Sequence, residues 1–181
     1  MNKIRCKSCK NNINQVIFNF GKMPAVNSFY PGNKIKNERP FPLKLYVCNF
    51  CWLIQLEKVP SKRSLFEEYH HISGASKGNV NHLKSVSNYI SNKFPNRKTI
   101  LEIGCNDGTL LNFLNKKKYS CTGIEPAKNV LNKKKQKIYK GYFGTKLAKS
   151  LLTKYQGFDI IIGLNVFAHN SSFIDMFKGC S

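Results

Sequence analysis

No stretch of this 181-residue chain approaches the roughly 18 consecutive apolar residues that a membrane-spanning helix requires. Behind the basic residues of Met1-Asn2-Lys3-Ile4-Arg5-Cys6 there is no apolar segment of the kind a secretory signal carries. Both absences lead to the expectation of a cytoplasmic protein that does not engage a membrane. Arginine is also scarce, with 4 residues against 26 lysines, although Lys and Arg outnumber Asp and Glu by 30 to 9 and leave a formal charge of +21. So high a charge invites a nucleic-acid reading. Against it, arginine is the side chain suited to bidentate phosphate and base-edge contacts. The runs Lys116-Lys117-Lys118 and Lys133-Lys134-Lys135 also fall at the ends of predicted helices, where lysine complements the helix dipole and stays solvated. The charge is therefore read mainly as compositional, and as a field that could attract an anionic substrate. Internal repeats are absent. A hydrophobic content of 41% and apolar runs such as Phe158–Val166 exclude collagen, coiled coil and wholesale disorder. The length suits one domain with a small module attached.

An even cysteine count is missing as well. The seven cysteines, at 6, 9, 48, 51, 105, 121 and 180, argue against a closed disulfide framework. Four of them form two C-x-x-C pairs, Cys6-Lys7-Ser8-Cys9 and Cys48-Asn49-Phe50-Cys51. A two-residue gap lets both sulfurs of one turn reach a single ion, and four thiolates complete the closed tetrahedron that Zn²⁺ prefers. The spacing predicts a structural zinc site of Cys6, Cys9, Cys48 and Cys51, with no coordination position left for catalysis. The metal would replace core that a segment of about 60 residues lacks. Four free thiols, or two disulfides, are the alternative. Cys105 and Cys121 read as small buried apolar residues.

Residues 1–62 are rich in turn signals, among them Met23-Pro24, Tyr30-Pro31-Gly32 and Phe41-Pro42, with short strands expected at Leu43–Val47 and Trp52–Leu56. Residues 63–97 read as a helical connector. Ser64 and Glu67 stand at capping-box spacing, and Val80, Leu83, Val86 and Ile90 recur at helical spacing within Asn79–Phe94. From residue 98 strands and helices alternate. Strands are expected at Thr99–Ile103, Ser120–Ile124, Ile138–Tyr142 and Phe158–Leu164, and helices at Gly108–Asn115, Ala127–Lys137, Leu147–Tyr155 and Ser172–Phe177. Such alternation predicts an α/β fold, a parallel doubly wound sheet with helices on both faces.

Glu102-Ile103-Gly104-Cys105-Asn106-Asp107-Gly108 follows the first of these strands and opens a helix, the place where a doubly wound sheet binds a nucleotide-like cofactor. Gly104 permits a tight turn and Gly108 a close approach. Glu125 ends the second strand, where a carboxylate can accept both ribose hydroxyls. A dinucleotide pyrophosphate wants bare amides at the helix start, and Asp107 would repel it. Together with Glu102, that carboxylate suits a cationic ligand such as the amino-acid end of S-adenosylmethionine.

At this point the sequence resembles the zinc-containing sugar C-methyltransferases of deoxysugar biosynthesis, of the tylosin mycarose type. The likeness is carried by the two C-x-x-C pairs, Phe41-Pro42-Leu43, Gln55-Leu56, Leu65–Tyr69, Ser73-Gly74-Ala75-Ser76, His82, Leu101–Leu111, Gly123–Ala127 and Asn165–His169. It implies a small zinc-binding domain followed by a Rossmann-like class I methyltransferase sheet. Gly104, Asn106, Asp107, Gly108 and Glu125 would bind S-adenosylmethionine, Asn165 could contact it, and Tyr69 and His169 would sit at a nucleotide-linked keto-sugar. The competing readings are a zinc-ribbon nucleic-acid binder and a non-catalytic remnant that pairs with a partner. His70 and His71 read as surface residues.

The resemblance also implies seven strands, a C-terminal domain and a Tyr-x-Glu-His segment supplying a general base, and residues 1–181 contain four strands and none of the rest. The expectation is an incomplete sheet that retains its zinc and half a cofactor pocket and turns over slowly or not at all. The unpaired apolar edge at Phe158–Leu164 would favour self-association.

Overall fold

A computed structural model describes residues 4–26, 32, 40–130 and 137–181. The chain divides into two compact units, Met1–Leu65 and Phe66–Ser181.

The first unit is β-rich. β1 (Ile4–Arg5) pairs antiparallel with β2 (Asn12–Ile13), while β3 (Val16–Met23), β4 (Phe41–Val47) and β5 (Ile54–Leu56) form an antiparallel sheet in that order. β5 is shorter than the predicted Trp52–Leu56 because Trp52 takes a left-handed φ of 60° and closes a turn instead of extending. β3 carries no helical or strand signal strong enough to be predicted. Its run contains Gly21 at φ 78°, and its register with β4 shifts twice, as bulged edge strands do. The unit's small core gathers Cys6, Ile13, Tyr46 and Cys48. Of the predicted turn Tyr30-Pro31-Gly32, the first two residues lie outside the described residues. A short helix, α1 (Lys62–Phe66), follows β5. Its cap differs from the expectation: Ser61 Oγ accepts from Ser64 N at 3.1 Å, so Ser61 caps the helix and Glu67 lies past its end.

The second unit is a parallel sheet in the order β8-β7-β6-β9. β6 (Thr99–Ile103) pairs with β7 (Ser120–Glu125) and β9 (Ile160–Ile162), and β7 pairs with β8 (Lys137–Lys140). Successive side chains of a strand point to opposite faces, so a strand covered on both faces reads as an unbroken apolar run. β6, Thr-Ile-Leu-Glu-Ile, comes close to such a run, with Ile100, Leu101 and Ile103 apolar on both faces and the buried Glu102 as the exception. Ile100 meets Leu83 and Ile90 of α2 (Lys77–Lys93) and Leu110, Leu111 and Leu114 of α3 (Thr109–Lys116). Leu101 and Ile103 meet Leu151 of α4 (Thr145–Tyr155) and Met176 of α5 (Phe173–Cys180). The predicted doubly wound α/β architecture is therefore present. Truncating one of these buried leucines to alanine would cost about 2–5 kcal/mol.

Two expectations are corrected. No helix runs from Ala127 to Lys137: residues 127–130 are not helical and Lys137 already begins β8, while 131–136 lie outside the described residues. β9 is also three residues long rather than seven, and Asp159, just before it, anchors its near end. Asp159 Oδ2 accepts from Lys98 N, Thr99 N and Thr99 Oγ1, each at 2.9 Å, which holds the start of β9 against the start of β6. No helix among the described residues is long and apolar enough to cross a membrane.

Candidate functional site

In the first unit each C-x-x-C pair opens the same six-residue turn. Cys6 N donates to Asn11 O and Cys6 O accepts from Lys10 N. Likewise Cys48 N donates to Leu53 O and Cys48 O accepts from Trp52 N. The fifth residue of each turn, Lys10 or Trp52, sits at positive φ, which brings the chain back toward its first cysteine. The four sulfurs lie within 4.8 Å of one another, with Cys6 and Cys51 at 3.5 Å and Cys9 and Cys48 at 3.5 Å. A tetrahedron of sulfurs about 2.3 Å from a central ion has edges of about 3.8 Å, whereas a disulfide would need about 2.05 Å. The cluster fits zinc and is not a pair of disulfides. Burial pushes the Cys6 thiol up to about 11, and the Asn11 backbone N–H draws Cys9 down to about 6. A bound cation would hold all four as thiolates.

Sequence reasoning assigned no role to Gln55 in this cluster. Its buried amide accepts from Lys7 N at 2.7 Å and donates to Arg5 O at 3.2 Å, fastening the first turn to β5. An inward-facing glutamine in an otherwise apolar strand is the signal that marks it.

In the second unit the loop after β6 is built from alternating left-handed residues, Gly104 (φ 69°), Asn106 (φ 53°) and Gly108 (φ 77°). Gly104 N and Cys105 N both donate to Ile124 O, which ties the loop to the end of β7. A Cβ on Gly104 would stand 2.6 Å from Val166 Cγ2, so the turn after β9 closes over this glycine. Glu125, at the end of β7, accepts from Asn106 N (2.8 Å) through one oxygen and from Ala127 N (2.9 Å) through the other. The sequence-derived residues Gly104, Asn106, Asp107, Gly108 and Glu125 thus lie in two adjoining loops. Asn165 and His169 are exposed in the turn after β9, Asn165 at φ 54°. Tyr69 is half-buried, and His70, His71 and His82 are exposed.

The charges in these loops share one sign. Of nine acidic residues in a chain of net +21, Glu102, Asp107 and Glu125 converge on one site. Glu102 is almost fully buried and its Oε2 has no hydrogen-bond partner among the described residues. Burial, then the charges of Asp107 and Glu125, lift its carboxyl well above the usual range. Burial also raises Glu125, against the N–H groups of Ala127 and Asn106. Cys105 and Cys121 are buried, as predicted, and burial followed by the Glu102 charge pushes Cys121 up to about 12. Crowded, desolvated carboxylates are relieved by a cation.

The helix start tells against phosphate. Asp107 Oδ1 accepts from Thr109 N at 3.1 Å and Thr109 Oγ1 at 2.8 Å, so a carboxylate already fills the first turn of α3 where a pyrophosphate would seek its donors. An unsatisfied buried carboxyl oxygen, a glycine cradle and an acidic helix start fit S-adenosylmethionine, whose ammonium and sulfonium are positive, and do not fit a dinucleotide.

Two family models match separate parts of the chain. The family model "Putative zinc binding domain" matches residues 6–66, and the family model "Methyltransferase domain" matches residues 79–178. The C-methyltransferase NovU of Streptomyces niveus is 22% identical over 182 residues, covering 97% of this chain and 43% of NovU. The chain thus spans less than half the length of that relative. Among solved structures, the plantazolicin methyltransferase BpumL in complex with SAH aligns at 20% identity and a TM-score of 0.40, over 54% of this chain and 39% of that one. DesVI of Streptomyces venezuelae aligns at 12% identity and 0.42, over 60% and 49%.

Proposed function

We propose, from the premise that the chain belongs to the methyltransferase-domain family, that its second unit holds S-adenosylmethionine in the loops after β6 and β7 for C-methylation of a nucleotide-linked keto-sugar. The observation that carries the donor assignment is the convergence of Glu102, Asp107 and Glu125 on a helix start closed to phosphate. When bound, S-adenosylmethionine supplies an electrophilic methyl group on sulfur.

Gly104, Asn106, Asp107, Gly108 and Glu125 would hold it, with Glu125 beside the ribose and Asn165 at the neighbouring strand end. Glu125 can do this because each carboxylate oxygen keeps a lone pair after accepting one backbone N–H. Tyr69 and His169 would face the acceptor, where an imidazole or phenol can orient the ketone and exchange the proton taken from the adjacent carbon. The four cysteines would hold a structural zinc that orders the first unit. C-methylation is supported by the likeness to NovU, a C-methyltransferase, and the sugar by the motif resemblance. The protein's surplus of lysine suits an acceptor carrying a diphosphate.

The test is incubation of the zinc-loaded chain with S-adenosylmethionine and a panel of keto-sugar nucleotides, read by mass spectrometry and by proton NMR at the carbon beside the ketone. A new carbon-bound methyl supports the reading. Methylation confined to oxygen, nitrogen or a peptide would overturn the acceptor assignment.

A second reading has its own observation. Phe50 and Trp52, on the second cysteine turn, are among the most exposed large hydrophobic residues described, and exposed aromatics on a basic unit can stack on single-stranded RNA. Affinity for RNA that falls steeply with added salt would favour it.

A further inference from the structure

Residues 67–74 run along the two loops of the donor site and are held there almost wholly by side chains reaching out of those loops. Asn129, four residues past the end of β7, accepts from Tyr69 N at 2.9 Å and donates to Tyr69 O at 2.8 Å, the pair of bonds that a neighbouring strand would make. Asn106 accepts from Ser73 N at 2.9 Å and donates to His71 O at 2.9 Å. Asp107 Oδ2 accepts from Gly74 N at 2.8 Å. Lys128 N donates to Glu67 O at 3.0 Å, and the Lys128 ammonium pairs with the Glu67 carboxylate.

Both asparagines use donor and acceptor together, so neither amide can be reversed without losing two bonds. Contact is close enough that a Cβ on Gly74 would meet Asp107 Oδ2 at 2.7 Å and Thr109 Oγ1 at 3.0 Å. A single carboxylate organises the grip. Glu125 holds Asn106 N with one oxygen and Ala127 N with the other, so it braces both loops from which the clamps project.

We infer that residues 67–74 are a strap forming one wall of the donor site, and that Asn129 is a positioning residue that places Tyr69 by gripping its backbone. The inference rests on the donor assignment above for the identity of the ligand, but not for the existence of the clamp. Its consequence is reciprocal coupling. A ligand that engages Glu125 and Asp107 stiffens the loops carrying the clamps, and the strap in turn favours that ligand.

Three strap amides, those of Tyr69, Ser73 and Gly74, each donate to one named side chain, so hydrogen exchange reads each clamp separately. The experiment compares the full zinc-loaded chain and Asn129→Ala, with and without S-adenosylhomocysteine. Asn129 is exposed, so the variant should fold, and unchanged exchange at Leu101 and Ile124 would establish that it does.

Without ligand, the variant should exchange the Tyr69 amide roughly 5- to 30-fold faster, as loss of two modest hydrogen bonds requires, with Ser73 and Gly74 changed less. With S-adenosylhomocysteine, the unaltered protein should slow all three amides, and the variant should recover little of the Tyr69 protection. An unchanged Tyr69 amide in Asn129→Ala overturns the clamp. Binding that leaves the strap amides unaffected, or that speeds them, overturns the wall. Failure of the unaltered chain to bind S-adenosylhomocysteine refutes the donor assignment instead, and the ligand-free comparison still decides the clamp.

Discussion

Replacing Gly104 with alanine should be among the most damaging single-methyl additions in the second unit, for two separable reasons. The backbone at 104 has φ 69°, a conformation that costs an L-residue about 1–2 kcal/mol. The new Cβ would also stand 2.6 Å from Val166 Cγ2, and overpacking of this kind costs about 1–3 kcal/mol. Gly104→Ala should therefore lose about 2–5 kcal/mol. Val166→Ala alone removes two half-buried methyl groups and should lose about 1–2 kcal/mol. In the double variant the clash is gone and only the backbone term remains, so the two changes should couple favourably by about 1–3 kcal/mol. The assay is urea unfolding followed by far-ultraviolet circular dichroism, because α2–α5, the described helices of eight or more residues, all lie in the second unit. Fluorescence would miss the event, since the single tryptophan, Trp52, is in the first unit. If Gly104→Ala costs as much beside Val166→Ala as it does alone, the turn after β9 does not close over the glycine and this account of the loop is wrong.

Other consequences can be measured on the same protein. Cys48→Ser, or a strong chelator, should abolish the bound zinc, expected at one per chain, and unfold the first unit while the helical signal of the second persists, because a structural zinc contributes on the order of 10 kcal/mol to such a fold; retention of slow hydrogen exchange at the Val47 amide, which donates to Gln15 O, without metal would contradict this. For Asp159, the backbone N–H groups of Lys98 and Thr99 lower the folded-state pKa from 3.8 to about 2. The lowered value means a stabilising effect present above about pH 4 and lost as the pH falls toward 2. Asp159→Asn should flatten the stability profile across that window, and an unaltered acid limb would contradict the assignment. Glu102 has the opposite sign: burial raises its carboxyl, so its folded state is favoured at low pH and penalised as the pH rises through the raised value. Glu102→Gln should thus gain stability relative to the unaltered chain at alkaline pH while weakening S-adenosylhomocysteine binding, and equal binding would remove Glu102 from the site.

The legible parts of the molecule were those in which one residue type allows only one local solution. The C-x-x-C spacing gave the metal cluster because two sulfurs three positions apart fit one tetrahedral edge. The run Thr99–Ile103 pointed to β6 because adjacent apolar residues such as Ile100 and Leu101 suit a short strand covered on both faces, bounded here by the turn at Gly104. The glycines and acids from Gly104 to Gly108 gave the loop and the sign of its charge. Position 123 was less readable: glycine stands there because Cys105 Sγ occupies the space 2.5 Å from its absent Cβ, a packing fact with no local signature. The expected helix over 127–137 failed because its alanine, leucine, lysines and glutamine favour a helix whereas Ala127, Lys128 and Asn129 spend their polar groups on Glu125 and the strap. Asn129 and Gln55 were missed as site residues for a related reason. Each grips a backbone far away in sequence, and only the folded chain brings the pair together.

The loop that opens with Gly104 is proposed to hold a cationic nucleoside. Isothermal titration of the zinc-loaded chain with S-adenosylmethionine, alongside NADH and repeated on Asp107→Asn and Glu125→Gln, tests this most directly. Saturable heat from S-adenosylmethionine alone, weakened in both variants, is the predicted result. Heat from NADH that S-adenosylmethionine neither reproduces nor displaces would contradict it.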